Sequence, residues 1–522
     1  MTTLNLTLGL PEVSPMCAQT FGPKPPQTPE RRRIAVLVAH GMGQQVPYET
    51  IDGVAQAALR GAQAAGATIT SSVIRSVRLG TQNKDEIEPQ LVRAEFEITE
   101  ANESAHEVHI YEAYWAPLTE GKVTATDVVR SLFSSGWNGV RNTTARTYRR
   151  WMFDRERQFT LPTERLTLAF LGIMLVLLAL VFINAVLAAA AASHAIGHDK
   201  AFPNGSLLVN LTWDFVITDL AAVLIVLGIV VGRIRMLLAG IVGSILVGFG
   251  ALGILISAFF VLAHLANWHW AQYVVPGNQW AGFVLHWQFA VLVLWALEFW
   301  VARTIREFLI QFVGDVAAYI AAHSASKFWE VRQQIWKTAM KVMRAVYCAR
   351  TAKNEQFVYE KVIVLGHSLG SVIGYDALNG LLLEEQLSNQ PLQIADRTRM
   401  FLTFGSPLDK TAFLFRTQKD MCSAVREVGA AAVQPMIADY GNRPQEWVNL
   451  WSQFDIISGH LDYYDPPNVG NAKHKAHYAG VAADPRAVRN EIDADAHTPL
   501  AAHVEYWNGK LLAEHLYRAI VT

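Results

Sequence analysis

The chain has 522 residues, more than one ordinary domain holds, so two or three domains are expected. Its 44 basic and 45 acidic residues leave a formal net charge of -1, which removes any electrostatic argument for nucleic acid as a partner. A hydrophobic share of 52% against 17% charged residues is high for a water-soluble chain and points to a part that sits in a membrane.

Residues 1–29, rich in proline from Pro11 to Pro29, read as a flexible leader with no apolar signal core. Arg31-Arg32-Arg33 then precede Ile34-Ala35-Val36-Leu37-Val38, an apolar run of the kind that forms a strand buried on both faces. It ends in His40-Gly41-Met42-Gly43, a strand-to-helix turn. Residues 49–65 read as a helix, and Ala94–Ile98 and Glu107–Trp115 alternate as strands do. Residues 30–150 are thus expected to be the first part of an α/β domain. The tract 130–165 is basic, with Arg141, Arg146, Arg149, Arg150, Arg155, Arg157 and Arg165. It reads as a helical face turned toward a membrane surface.

Between 151 and 303 the composition changes. Stretches at about 166–192, 213–231, 236–265 and 281–302 are long and nearly free of charge, and each is about the length a hydrocarbon core requires. Arginines precede the first, separate the second from the third (Arg233, Arg235) and follow the fourth (Arg303, Arg306), while Trp268, Trp270 and Trp280 lie in the third loop. The expectation is a four-span integral membrane protein with both termini cytoplasmic, placed in a bacterial inner membrane. Residues 304–346 then repeat apolar side chains at helical spacing and read as an amphipathic connecting helix.

The second part of the α/β domain, 347–522, carries the chemistry. Val362-Ile363-Val364-Leu365 runs into Gly366-His367-Ser368-Leu369-Gly370, and a helix-compatible run follows, which is the strand, turn and helix of a G-x-S-x-G nucleophile elbow. A serine at such a tip is crowded by backbone on either side, hence glycine at Gly366 and Gly370. Ser368 is the candidate nucleophile and the Leu369 amide a candidate oxyanion donor. Met400–Phe404 and Trp447–Trp451 read as the next strands. Asp455 follows the later one and is the candidate acid, with Asp409 its competitor after the earlier one. His460, His474, His477, His497, His503 and His515 are candidate bases. His503, ahead of an expected terminal helix over 504–520, fits best, with His497 next. The histidines have no zinc spacing, and Cys17, Cys348 and Cys422 are too scattered for a metal site or a disulfide framework.

The segments HGMG, GHSLG, TFGSPLD, NLWSQFD and AHVEYW together resemble serine hydrolases of the α/β-hydrolase superfamily, of the lipase-like and esterase-like group that includes membrane-associated phospholipases. The resemblance covers about 30–130 and 345–522. It implies a mostly parallel sheet flanked by helices and split by the apolar insertion. It also implies acyl transfer through Ser368, His503 and Asp455 with no cofactor, and oxyanion donors at Met42 and Leu369. His40, Gly41, Gly43 and His367 would support them. A catalytic domain tied to a bilayer would meet membrane lipids at high local concentration, so phospholipid or acylglycerol esters are the expected substrates. A protein or acyl thioesterase would use the same residues. Readings of another class are a catalytically silent membrane scaffold or signalling protein, whose signature would be a missing triad member, and a transporter using Asp214, Asp219, His286 and Glu298.

Overall fold

The computed structural model describes residues 7–8, 32–42, 46–79, 90–100, 105–120, 122, 127, 147–153, 155–160, 217, 221, 224, 237–266, 319, 326–351, 356–388, 391–414, 423–455, 457–465, 484–498 and 501–522. These fall into two compact units, one formed by Met1–Leu161 with Phe308–Thr522, the other by Pro162–Glu307.

The first unit is built on a 9-stranded, mostly parallel sheet. In chain order its strands are β1 (Thr7–Leu8), β2 (Arg32–Ala39), β3 (Thr68–Arg78), β4 (Gln90–Thr99), β5 (Ala105–Ala113), β8 (Lys361–His367), β9 (Thr398–Phe404), β10 (Trp447–Trp451) and β11 (Val488–Ile492), while β6 (Thr147–Met152) and β7 (Arg155–Thr160) pair as a separate hairpin. The spatial order is β1-β3-β4-β5-β2-β8-β9-β10-β11. From β5 through β11 every pairing is parallel, and β3, β4 and β5 pair antiparallel. The expected strands are present at β2, β4, β5, β8, β9 and β10. The basic tract is a hairpin where it is described, 147–153 and 155–160, and not a helical face.

Alternation along the central strands divides the apolar side chains between two cores. Leu37, Val362 and Val364 face one side with Ile335, Ala339 and Met343 of a helix Ser326–Cys348 and Ile373 of a helix Leu369–Leu387. Val36, Val38, Ile363 and Leu365 face the other, with Ile51, Val54 and Ala58 of a helix Glu49–Ala64 and Leu512 and Leu516 of a helix Lys510–Val521. A strand covered on both faces must be apolar throughout, which is why these read as unbroken hydrophobic runs. Of the expected connecting helix 304–346, the part from Ser326 is helical, and 304–325, Tyr319 apart, lies outside the described residues.

The register sets the strand ends level. Ala39 pairs with Gly366, His367 with Phe404, and Phe404 with Leu450, so the chain leaves β2, β8, β9 and β10 along one edge of the sheet. In open α/β sheets this carboxyl edge is where ligands bind.

Among the described residues no helix is long and apolar enough to cross a membrane, which overturns the expected four-span integral membrane topology and the localisation drawn from it. The stretches 166–192 and 281–302 lie outside the described residues, and of 213–231 only Ile217, Ala221 and Leu224 are described. The third stretch is helical over Leu237–Leu265. Within this second unit Ala221 packs against Gly253, where an added Cβ would lie 2.9 Å from that of Ala221. Asp214, Asp219, His286 and Glu298 lie outside the described residues.

Candidate active site

Ser368 occupies the turn between β8 and the helix Leu369–Leu387, with φ 52° and ψ -128°, and is fully buried at 0% exposure. A non-glycine residue at positive φ is strained, and such strain persists only where the surroundings impose it. They do so here by backbone contact. A Cβ on Gly366 would lie 2.5 Å from the Ser371 Cα, and one on Gly370 would lie 2.0 Å from the Ala39 carbonyl oxygen. The Ser368 amide donates to the Phe404 carbonyl (3.0 Å), and the Ser371 hydroxyl donates to the Gly366 carbonyl (2.7 Å).

Three side chains from distant parts of the sequence meet at this turn. The Ser368 hydroxyl lies 2.9 Å from His503 Nε2, and His503 Nδ1 lies 3.0 Å from Asp455 Oδ2. With Nδ1 protonated, His503 donates to the carboxylate and leaves Nε2 to accept the serine proton. Asp455 follows β10. Its other oxygen accepts from the Ile457 amide (2.8 Å), and Oδ2 also accepts from the Tyr506 hydroxyl (3.1 Å). Burial alone would raise this carboxyl. The hydrogen bond and charge of His503, with the Ile457 amide and the Ser458 hydroxyl, outweigh it and hold Asp455 at about 2.

His503 sits in a short helical turn, Ala502–Glu505, and not in a loop before the terminal helix as expected. A 3-10 turn, Tyr506–Asn508, and Gly509 separate it from the helix Lys510–Val521. Gly405, at φ 60° after β9, makes room for it: a Cβ there would lie 3.2 Å from His503 Cε1. The His503 carbonyl accepts from His367 Nε2 (2.9 Å). Burial, followed by the nearby His503, lowers His367 to about 3, so it stays neutral.

The turn after β2 lies against the serine. A Cβ on Gly41 would be 2.9 Å from His367 Nδ1 and 3.0 Å from the Ser368 Cβ. His40 fixes this turn from behind. Its Nδ1 donates to the Gly41 carbonyl (2.8 Å), its Nε2 accepts from the amides of Trp115 (3.1 Å) and Ala116 (3.3 Å), and its ring stacks on Trp115 at 4.6 Å. Burial lowers His40 to about 4, the Gly41 bond opposing in part. Met42 is buried beside this turn, and Leu369 opens its helix, where an amide has no acceptor within the helix. Gly43 lies outside the described residues.

The competing candidates stand elsewhere. Asp409 is buried in an ion pair with Lys410 (3.2 Å), burial pushing its carboxyl up, and among the described residues it makes no bond to a histidine. His497 is exposed and donates to the Asp495 carbonyl, His515 Nε2 lies 2.8 Å from Glu491, and His460 Nδ1 lies 3.8 Å from Asp462. His474 and His477 lie outside the described residues. Reading by sequence missed Tyr506, although its i, i+3 spacing from His503 puts both on one side of a helical turn. Among the described residues, Glu95, Glu107 and His109 group closely enough for a metal ion, but Arg93 and Arg75 pair with Glu95 and Arg33 with Glu107. Comparison of the chain with protein-family models, with curated proteins and with solved structures gives no match.

Proposed function

We propose that this chain is a serine hydrolase that moves the acyl group of a carboxylic ester to water, on an α/β-hydrolase fold. The observation that carries the reading is the unbroken chain from Ser368 Oγ to His503 Nε2 at 2.9 Å and from His503 Nδ1 to Asp455 Oδ2 at 3.0 Å, set at a strained strand-to-helix turn.

In this reading His503 takes the Ser368 proton as the oxygen attacks the ester carbonyl. Asp455 keeps Nδ1 protonated and stabilises the imidazolium that forms. The Leu369 and Met42 amides hold the oxyanion of the tetrahedral intermediate, and removing one such donor costs about 100- to 1,000-fold. His503 then protonates the departing alcohol. A water deprotonated by the same imidazole releases the acid. No cofactor enters these steps.

The substrate class is an acyl ester. Lipid esters fall within it, but the argument for them from proximity to a bilayer goes with the membrane spans. A thioester would be cleaved by the same groups.

The test is hydrolysis of p-nitrophenyl acyl esters of increasing chain length, alongside the matching acyl thioesters. The reading expects turnover that Ser368→Ala abolishes. Turnover unchanged in Ser368→Ala would overturn it.

A further inference from the structure

Besides His503 and the Ser458 hydroxyl, the Asp455 carboxylate receives a side-chain donor from Tyr506, one turn beyond His503, and this contact lies outside the three-residue chain described above. Tyr506 is fully buried. Its ring lies edge-on to Phe404 and against Gly405, which holds its hydroxyl between Asp455 Oδ2 and Ser458 Oγ. Oδ2 therefore accepts from both His503 Nδ1 and Tyr506, and Oδ1 accepts from the Ile457 amide.

Behind Tyr506 the contact continues. Ser458 Oγ lies 2.9 Å from the Tyr506 hydroxyl, and the Ser458 carbonyl accepts from Lys410 Nζ (2.9 Å). Lys410 is in turn held by Asp409, whose Oδ2 is where a Cβ on Gly459 would fall, at 2.1 Å. The pair left over from the choice of acid thus props the loop that carries the acid.

We infer that Tyr506 is a positioning residue for the proposed hydrolysis: its hydroxyl fixes the rotation of the Asp455 carboxylate and draws charge from the oxygen that faces His503. The inference rests on the serine-hydrolase reading of this site. A carboxylate bonded by two side-chain donors at one oxygen cannot rotate without breaking both, so the imidazole is aimed at Ser368 before substrate arrives. The second donor also shares the carboxylate's charge, and its loss leaves more of that charge for the imidazolium.

The titratable groups around this contact are Asp455 from the loop after β10, Asp493 after β11, and His503 of the same turn, with His367 of β8 against the His503 backbone. Of these, His503 is the group whose protonation sets the acidic limb of a pH–rate profile.

The experiment compares the pH dependence of kcat/KM for p-nitrophenyl ester hydrolysis in the full chain, in Tyr506→Phe and in Ser458→Ala. Tyr506→Phe keeps the buried ring. The expected result is a drop in kcat of about tenfold with KM little changed, and an acidic limb moved up by about half a pH unit, since the imidazolium gains the charge the tyrosine had shared. Ser458→Ala removes a hydroxyl that reaches both Tyr506 and Asp455 and should shift the limb in the same direction. A Tyr506→Phe profile that falls in amplitude with an unmoved limb, or that matches the parent, would overturn the assignment and leave the serine-hydrolase reading standing. Absence of Ser368-dependent hydrolysis in the parent chain would overturn both. If Tyr506→Phe does not fold, an unmoved limb in Ser458→Ala overturns the assignment.

Discussion

Gly370 meets Ala39 backbone to backbone: a Cβ on the glycine would fall 2.0 Å from the Ala39 carbonyl oxygen and 2.6 Å from that of His40. The helix after Ser368 is thereby pressed against the end of β2, and the Ser368 turn and the His40–Met42 turn become one surface. Gly370→Ala should destabilise the first unit by about 3 kcal/mol, because the obstructing atoms are backbone and cannot swing aside. Chemical denaturation of the variant checks this. A loss below about 1 kcal/mol would mean the two turns are not in contact.

The choice between two acids is testable in a pair of variants. Asp455→Asn removes the acceptor that holds the His503 tautomer, and kcat should fall by about 10,000-fold with the fold intact. Asp409→Asn leaves the buried Lys410 ammonium without its carboxylate partner and should cost stability, about 3 kcal/mol, with kcat lowered far less. Steady-state rates and melting curves on both proteins separate the two roles. The reverse pattern would make Asp409 the acid.

Stability should fall on mild acidification, for a reason located in His40 and His367. Their unfolded imidazoles ionise near 6.5, whereas in the fold burial holds them near 4 and near 3. The unfolded chain therefore binds more protons between these values. The stabilisation is complete above pH 6.5 and is lost as pH falls through that window, at up to about 1.4 kcal/mol per group per pH unit. Asp455, depressed from 3.8 to about 2, adds a loss that begins only below pH 3.8. Urea midpoints measured from pH 8 to pH 4 should decline from about 6.5 downward, and a flat profile to pH 5 would contradict the buried, neutral state of these rings.

The strand, turn and helix around Ser368 were legible because their cause is local. Glycines at 366 and 370 answer to backbone contacts within a few ångströms, and a β-branched run followed by a helical one needs no knowledge of partners. Asp455 and His503 were harder, since a 3.0 Å contact between residues 48 apart depends on β10 and the Ala502–Glu505 turn ending at the same edge. Chain order, with Asp455 placed after a late strand and His503 ahead of the terminal helix, suggested the pair. β3 was not foreseen, because Thr68–Arg78 mixes polar and apolar residues without strict alternation. Tyr506 was hidden in the expected continuous helix, which Gly509 interrupts with an extended ψ of 145°.

The membrane expectation failed for a different reason. An apolar run states composition and length, and neither separates a helix surrounded by lipid from one packed on protein.

The measurement that tests the central claim most directly is covalent labelling of the folded full chain with a fluorophosphonate, which reacts with a serine only where a base activates it. The account predicts a single labelled site at Ser368, lost in Ser368→Ala and reduced at least about 1,000-fold in rate in His503→Ala. A folded parent chain that takes up no label, or that labels equally well in His503→Ala, would contradict it.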